Sequence, residues 1–217
     1  MFPKGKLVPY LTEEEGQVEG KYKNSAIAVS HYTTDGTDMV LLNGMSRGSS
    51  AGTRVGSRVV LRSFNIRMFI SFVSNESDSS VTPMGIRMMI VYDKQANGAV
   101  CPSPFSSFYA TAESVYRDRF IVMYDEVVYM ERTSIGSYYV ADTPEVIPFS
   151  NVWQKFRHVH LAVDLPTTFN NSDTGVITDI NSGSVYLVTM TTGITARACG
   201  QEGIVVAGNC ETRWLDA

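Results

Sequence analysis

Residues 48–72 read GSSAGTRVGSRVVLRSFNIRMFISF, and their pattern decides the fold class. The first third is glycine, serine and arginine, the chemistry of a loop able to lie against a polyanion. From Val60 the even positions are Val60, Arg62, Phe64, Ile66, Met68, Ile70 and Phe72, apolar everywhere but Arg62. The odd positions mix Leu61 and Phe69 with Ser63, Asn65, Arg67 and Ser71. A period of two over this length sends alternate side chains to opposite faces, which predicts a half-buried β-strand. Between Asp38 and Glu76 stand five arginines (Arg47, Arg54, Arg58, Arg62, Arg67) and no acid. One segment therefore supplies a core strand and the densest uncompensated positive charge in the chain.

The chain as a whole is mildly acidic, with a net charge of −4 over 217 residues. A protein that coats nucleic acid everywhere needs the opposite balance, so any polyanion site must be local. A composition of 44% hydrophobic and 11% aromatic residues is enough to bury a sizeable core, and all-β units of this size are commonly single domains. Cys101, Cys199 and Cys210 form no CxxC pair and no even-numbered framework, so they read as reduced thiols of an intracellular or nuclear protein. No apolar run approaches the roughly 20 residues of a membrane-spanning helix. The opening MFPKGKLVPYLTEEEG lacks the apolar centre of a signal peptide. The expectation is a soluble protein without membrane contact.

Residues 1–24 carry Pro3, Gly5, Pro9, Gly16, Gly20 and the run Glu13–Glu15, which break any period and predict an arm ahead of a domain at 25–217. Ala26–Val29 and Met39–Leu42 flank a turn-like Thr34–Thr37 and predict a hairpin or a pair of edge strands. Over 84–93, Met84, Ile86, Met88, Ile90 and Tyr92 share one face. Asp118–Glu131 reads as a strand whose phase slips at Asp125–Glu126, the mark of a bulge. Trp153–Asp164, Ser184–Thr191 and Gly203–Leu215 add strands, with Tyr186, Val188 and Met190 on one face of the second. Residues 99–116 hold Pro102, Pro104 and four aromatics without a period, and so long a loop is functional or packs on a partner. Residues 108–117 have room for a short helix, while 133–151 and 166–182 read as polar loops. Nothing sustains a 3.6-residue period. About eight strands joined by long loops predict an all-β chain: a single eight-stranded, two-sheet antiparallel sandwich, the jelly roll. The edges and long loops of such a sandwich need cover, commonly from copies of itself.

Four of these segments, in this order, resemble the capsid proteins of small circular single-stranded DNA viruses that encode a replication initiator, the CRESS-DNA viruses related to geminivirus and circovirus coats. They are Gly48–Arg67, Ile90–Gly98 (IVYDKQANG), Arg117–Asp125 (RDRFIVMYD) and Gly183–Val188 (GSVYLV); the ending Arg213-Trp214-Leu215-Asp216 is also similar. The resemblance implies a viral jelly-roll subunit that self-assembles into an icosahedral shell of about 60 copies around circular single-stranded DNA. It also implies residence in the virion, with assembly in the host nucleus or cytoplasm, no enzymatic activity and no cofactor. Such coats begin with an arginine-rich arm, and here the sequence departs from them: residues 1–24 contain four lysines, four acids and no arginine.

For nucleic-acid contact the candidates are Arg47, Arg54 and Arg58 in the glycine-serine stretch, then Arg62, Lys4 and Lys6, since phosphate contacts need charge without base-reading geometry. The alternative is that these arginines are strand-face groups paired with acids elsewhere. For subunit contact the candidates are Arg117, Arg119, Phe105, Phe108 and Tyr109; Arg117 and Arg119 could equally clamp a carboxylate within the chain. His158 and His160 point the same way on a strand, with Asp164 near. The pair opens a second reading, a cupin-like metal-dependent enzyme; the coat of a small RNA or satellite virus is a third.

Overall fold

A computed structural model describes residues 20–31, 37–73, 84–100, 105, 107–109, 118–130, 153–192 and 203–216. The alternating stretch is β3 (Arg58–Val73), the centre of a five-stranded sheet. Its inward phase is Phe64, Ile66, Met68, Ile70 and Phe72, all buried. Below Phe64 the phase slips. Val59 and Leu61 are fully buried, Val60 is half covered and Arg62 is exposed. The register against both neighbouring strands shifts between Leu61 and Ser63, which is a β-bulge. Val60 and Arg62, expected to face inward, do not, because the extra residue at the bulge turns Arg62 to solvent and recruits Leu61 to the core.

The five-stranded sheet runs in the order β1 (Gly20–His31), β9 (Gly203–Asp216), β3, β6 (Trp153–Phe169), β7 (Ile180–Ser182). The four-stranded sheet runs β2 (Thr37–Leu41), β8 (Ser184–Thr192), β4 (Met84–Asp93), β5 (Phe120–Met130). Every pairing is antiparallel. With the three-residue β7 set aside, the remaining strands divide four and four, and the first lies beside the last. That is the jelly-roll sandwich expected from the sequence, with a short ninth strand added.

Several boundaries differ from expectation for identifiable reasons. β1 begins at Gly20, inside the span read as an arm. Its inward phase includes Lys21 and Lys23, whose charges conceal the alternation. Lys21 Nζ donates to the Thr53 carbonyl at 3.0 Å and pairs with Asp216 at 2.9 Å, and Lys23 Nζ donates to the Gly44 carbonyl at 2.6 Å. β1 and β2 are edge strands of different sheets rather than a hairpin. β6 continues through Pro166 to Phe169, where a loop was expected. Proline has no donor to offer, but its carbonyl accepts Tyr92 Oη at 2.6 Å. In β5 the bulge exists but lies earlier than Asp125–Glu126: Ile90 and Val91 face Tyr124 and Val122, leaving Met123 extra. The polar loop 133–151 and, beyond Tyr109, the short-helix reading lie outside the described residues.

The main core fills the space between the sheets, with Phe64, Met68, Ile86, Leu187 and Trp214 fully enclosed. β4 and β8 are buried on both faces. On their outer side Met89, Val91, Tyr186, Val188 and Met190 pack beneath Phe105, Phe108 and Phe120. Asn43 joins the layers. Its Nδ2 donates to Thr167 Oγ1 at 3.2 Å and to the Gly183 carbonyl at 2.8 Å, and its Oδ1 accepts Val185 N–H at 2.9 Å. A buried amide placed so that three bonds are made is a specific clasp.

Candidate nucleic-acid interface

The five arginines of the acid-free stretch have different fates. Arg54 is 1% exposed. It donates to the Gly56, Ser172 and Asn170 carbonyls at 2.6, 2.6 and 3.3 Å and lies 4.3 Å from the Phe169 ring centroid. Burial lowers its pKa from the ordinary arginine value. Arg54 fastens loop 46–57 to loop 170–176 and has no surface to offer a phosphate. Arg47 and Arg58 are exposed, as a phosphate contact requires. Arg62 is exposed and bonds Asp164 at 2.8 Å across the strand pair. Arg67 is exposed on β3. Lys4 and Lys6 lie outside the described residues. Because Arg62 and Asp164 are both well solvated, Arg62→Ala is expected to shift folding stability by less than about 1 kcal/mol, read as the urea midpoint.

Asp179 completes the loop that Arg54 holds. It is 1% exposed and accepts Thr174 Oγ1 at 2.9 Å and Gly175 N–H at 2.5 Å. Burial alone would raise its pKa, but bonds from Gly175, Ser172, Thr174 and Val176 outweigh it and hold the carboxyl below its ordinary value. An unfolded aspartate titrates near about 3.9, so this stabilisation is present above that pH and is lost as pH falls through the lower folded value. Asp179→Asn should therefore be less stable than wild type at pH 6, with the gap in melting temperature closing towards pH 3. A gap independent of pH would contradict this.

On the outward side of the five-stranded sheet, the strand registers align side chains in cross-strand rows. Asn24, Glu211, Asn65 and His160 form one row; Ala26, Asn209, Arg67 and His158 the next; then Ala28, Ala207, Phe69 and Phe156. Phe69 and Phe156 are each 50% exposed, with ring centroids 5.1 Å apart. Arg213 projects from the same face and bonds Glu211 at 2.6 Å. None of the described elements covers these rows.

The subunit-contact candidates are placed mostly within the chain. Phe105 and Phe108 are 4% and 7% exposed and cap the outer side of the second sheet. Arg87 secures them: it forms a two-pronged pair with Asp125 at 2.8 and 2.5 Å, donates to the Phe108 carbonyl at 2.9 Å and lies over the Phe105 ring. The bond to Asp125 raises the Arg87 pKa against the effect of burial. This clamp escaped the sequence reading, although a lone arginine inside an apolar run (Met84-Gly-Ile-Arg-Met-Met-Ile90) is itself a signal of a paired buried charge. Arg119 grips Asp93 through two bonds of 2.7 Å, so the intrachain clamp is the arrangement present. Tyr109 is 73% exposed, edge-on to Phe108. Arg117 lies outside the described residues.

His158 and His160 do share a face, but it is the solvent face. His158 Nε2 bonds Asn65 Oδ1 at 2.7 Å, and Asp164 is engaged by Arg62. Among the described residues no three histidine, cysteine, aspartate or glutamate side chains converge to hold a metal. A cavity of about 340 Å³ beside β2 is lined by Lys23, Met39, Leu41, Ile177 and Tyr186 among others; its one ammonium donates to the Gly44 carbonyl, and burial lowers the Lys23 pKa.

No curated protein sequence matches the chain. Among solved structures, one titled "Structure of infectious bursal disease virus Gx strain" is similar over 97% of this chain and 37% of that one, at 8% identity and a TM-score of 0.29. The chain thus spans little more than a third of that protein, and the likeness is too weak to bear on function. A profile of the family described as geminivirus coat protein/nuclear export factor BR1 matches residues 12–199, which take in β1 to β8 and the whole arginine stretch, and the chain therefore belongs to that family.

Proposed function

We propose that this chain is a capsid subunit whose mechanism is self-assembly, forming an icosahedral shell of about 60 copies around circular single-stranded DNA. The observation that carries the reading is the family match over a jelly roll in which loop aromatics cap one sheet and no described element covers the other. The paired arginines support it, because Arg54, Arg87 and Arg119 act as clamps rather than as chemistry. Arg47 and Arg58, exposed beside flexible-type glycine-serine sequence, are the phosphate contacts of choice. Arg62 contributes less because Asp164 neutralises it. Tyr109, the most exposed aromatic among the described residues, is available to a neighbouring copy. The virion is the site of action, with assembly in the host nucleus or cytoplasm.

The experiment is nuclease treatment of the nucleic acid that co-purifies with the assembled protein. DNase-sensitive, RNase-resistant material supports the reading, and RNase-sensitive material replaces it with an RNA coat. A chain that binds DNA but stays monomeric would favour the export-factor branch that the family description also covers.

A further inference from the structure

We infer that the outward face of the five-stranded sheet is a stacking platform for single-stranded nucleic acid, with bases lying on Phe69 and Phe156 and phosphates at Arg67 and Arg58. This deepens the capsid reading and rests on it. Three observations carry it. First, Phe69 and Phe156 face each other directly across the β3–β6 register, each half exposed, at 5.1 Å between centroids. The cross-strand neighbours in their row are Ala28 and Ala207, so no tall side chain stands beside the rings within that row. Aromatic rings held open on a sheet are the device by which single strands are bound regardless of base.

Second, charge is segregated onto this face. β3 directs Arg58, Arg62 and Arg67 outward, and Arg213 joins them from β9. Against these four arginines stand two carboxylates, Asp164 on Arg62 and Glu211 on Arg213. Two positive charges remain in excess on a chain whose net charge is −4. Arg58 and Arg67 have no carboxylate partner among the described residues. Third, the spacing suits an extended strand. Arg67 and Phe69 are two residues apart on one face, about 7 Å, and Arg58 to Arg67 spans about 30 Å. A second copy docking through the same face would set the unpaired arginines against each other. Charge therefore favours a polyanion as the occupant.

The test is fluorescence anisotropy of a labelled 20-nucleotide oligo-dT with the full chain, over a sodium chloride series. Phe69→Leu with Phe156→Leu keeps apolar bulk and removes the rings; it should weaken binding roughly tenfold or more with an unchanged salt slope. Arg67→Gln should lower the slope of log affinity against log salt by about 0.7. Should the double variant fail to fold, photocrosslinking of wild type to iododeoxyuridine oligonucleotide replaces it, and crosslinks on peptides of β3 and β6 are expected. The inference is overturned if the double variant binds oligo-dT as wild type does, or if crosslinks fall only elsewhere. It is also overturned if the double variant loses assembled mass on a sizing column with DNA affinity intact, which would make the face a contact between copies. In each of those cases wild type still binds DNA, so the capsid reading survives. Wild-type protein that binds no oligo-dT at any salt overturns both.

Discussion

Replacing Arg119 with methionine is expected to lower folding stability by about 3 to 5 kcal/mol, more than removing its partner Asp93. The asymmetry follows from burial. The Asp93 carboxylate is fully enclosed, and it accepts two bonds of 2.7 Å from Arg119 and one of 2.9 Å from the Gln95 N–H. Without the guanidinium, a charge is left in the interior with one backbone donor among the described residues. In Asp93→Ala the residue left behind is Arg119, whose side chain is 25% exposed and rests over the Phe120 ring, so it recovers water. The pair also sits where two connections meet. Lys94 N–H donates to the Arg119 carbonyl and Gly183 N–H to the Asp93 carbonyl, each at 3.1 Å. Urea unfolding of the two variants measures the difference, and equal or reversed losses would contradict the account.

The second large effect lies at the β3 bulge. Leu61→Ala should cost about 2 to 5 kcal/mol, whereas Val60→Ala should cost about 1 kcal/mol or less. Leu61 is fully buried in the main core, and truncating it leaves a cavity between two sheets that pack at near-crystalline density. Val60 is half covered on the opposite face. Strict alternation running back from Phe64 through Arg62 to Val60 would reverse the order, so the pair of variants decides which phase the strand adopts at this end.

That strand also shows how far sequence reaches. From Phe64 to Phe72 alternation and burial coincide, because one face meets the core and the other meets solvent. At Arg62 the alternation fails, and the failure was visible as a charge on an apolar phase; the bulge that resolves it depends on two neighbouring strands that no local pattern encodes. The first half of β1 was hidden for the opposite reason, since Lys21 and Lys23 occupy core-facing positions that distant partners, Asp216 and the Thr53 and Gly44 carbonyls, make tolerable. For the proposed site, charge density singled out one segment but not which of its arginines stay exposed. Arg54 looked as free as Arg58 and is enclosed, because the carbonyls of loop 170–172 arrive from a hundred residues away. Phe69 and Phe156 were legible as strand residues, yet their pairing on a bare face follows from register alone.

The central claim is that this sandwich acts by assembling with copies of itself. Sedimentation velocity of the purified chain, with negative-stain imaging of the fastest fraction, tests it most directly. The account predicts closed particles of uniform size containing many copies. A stable species with the mass of one 217-residue chain, under every salt and DNA condition tried, would contradict it.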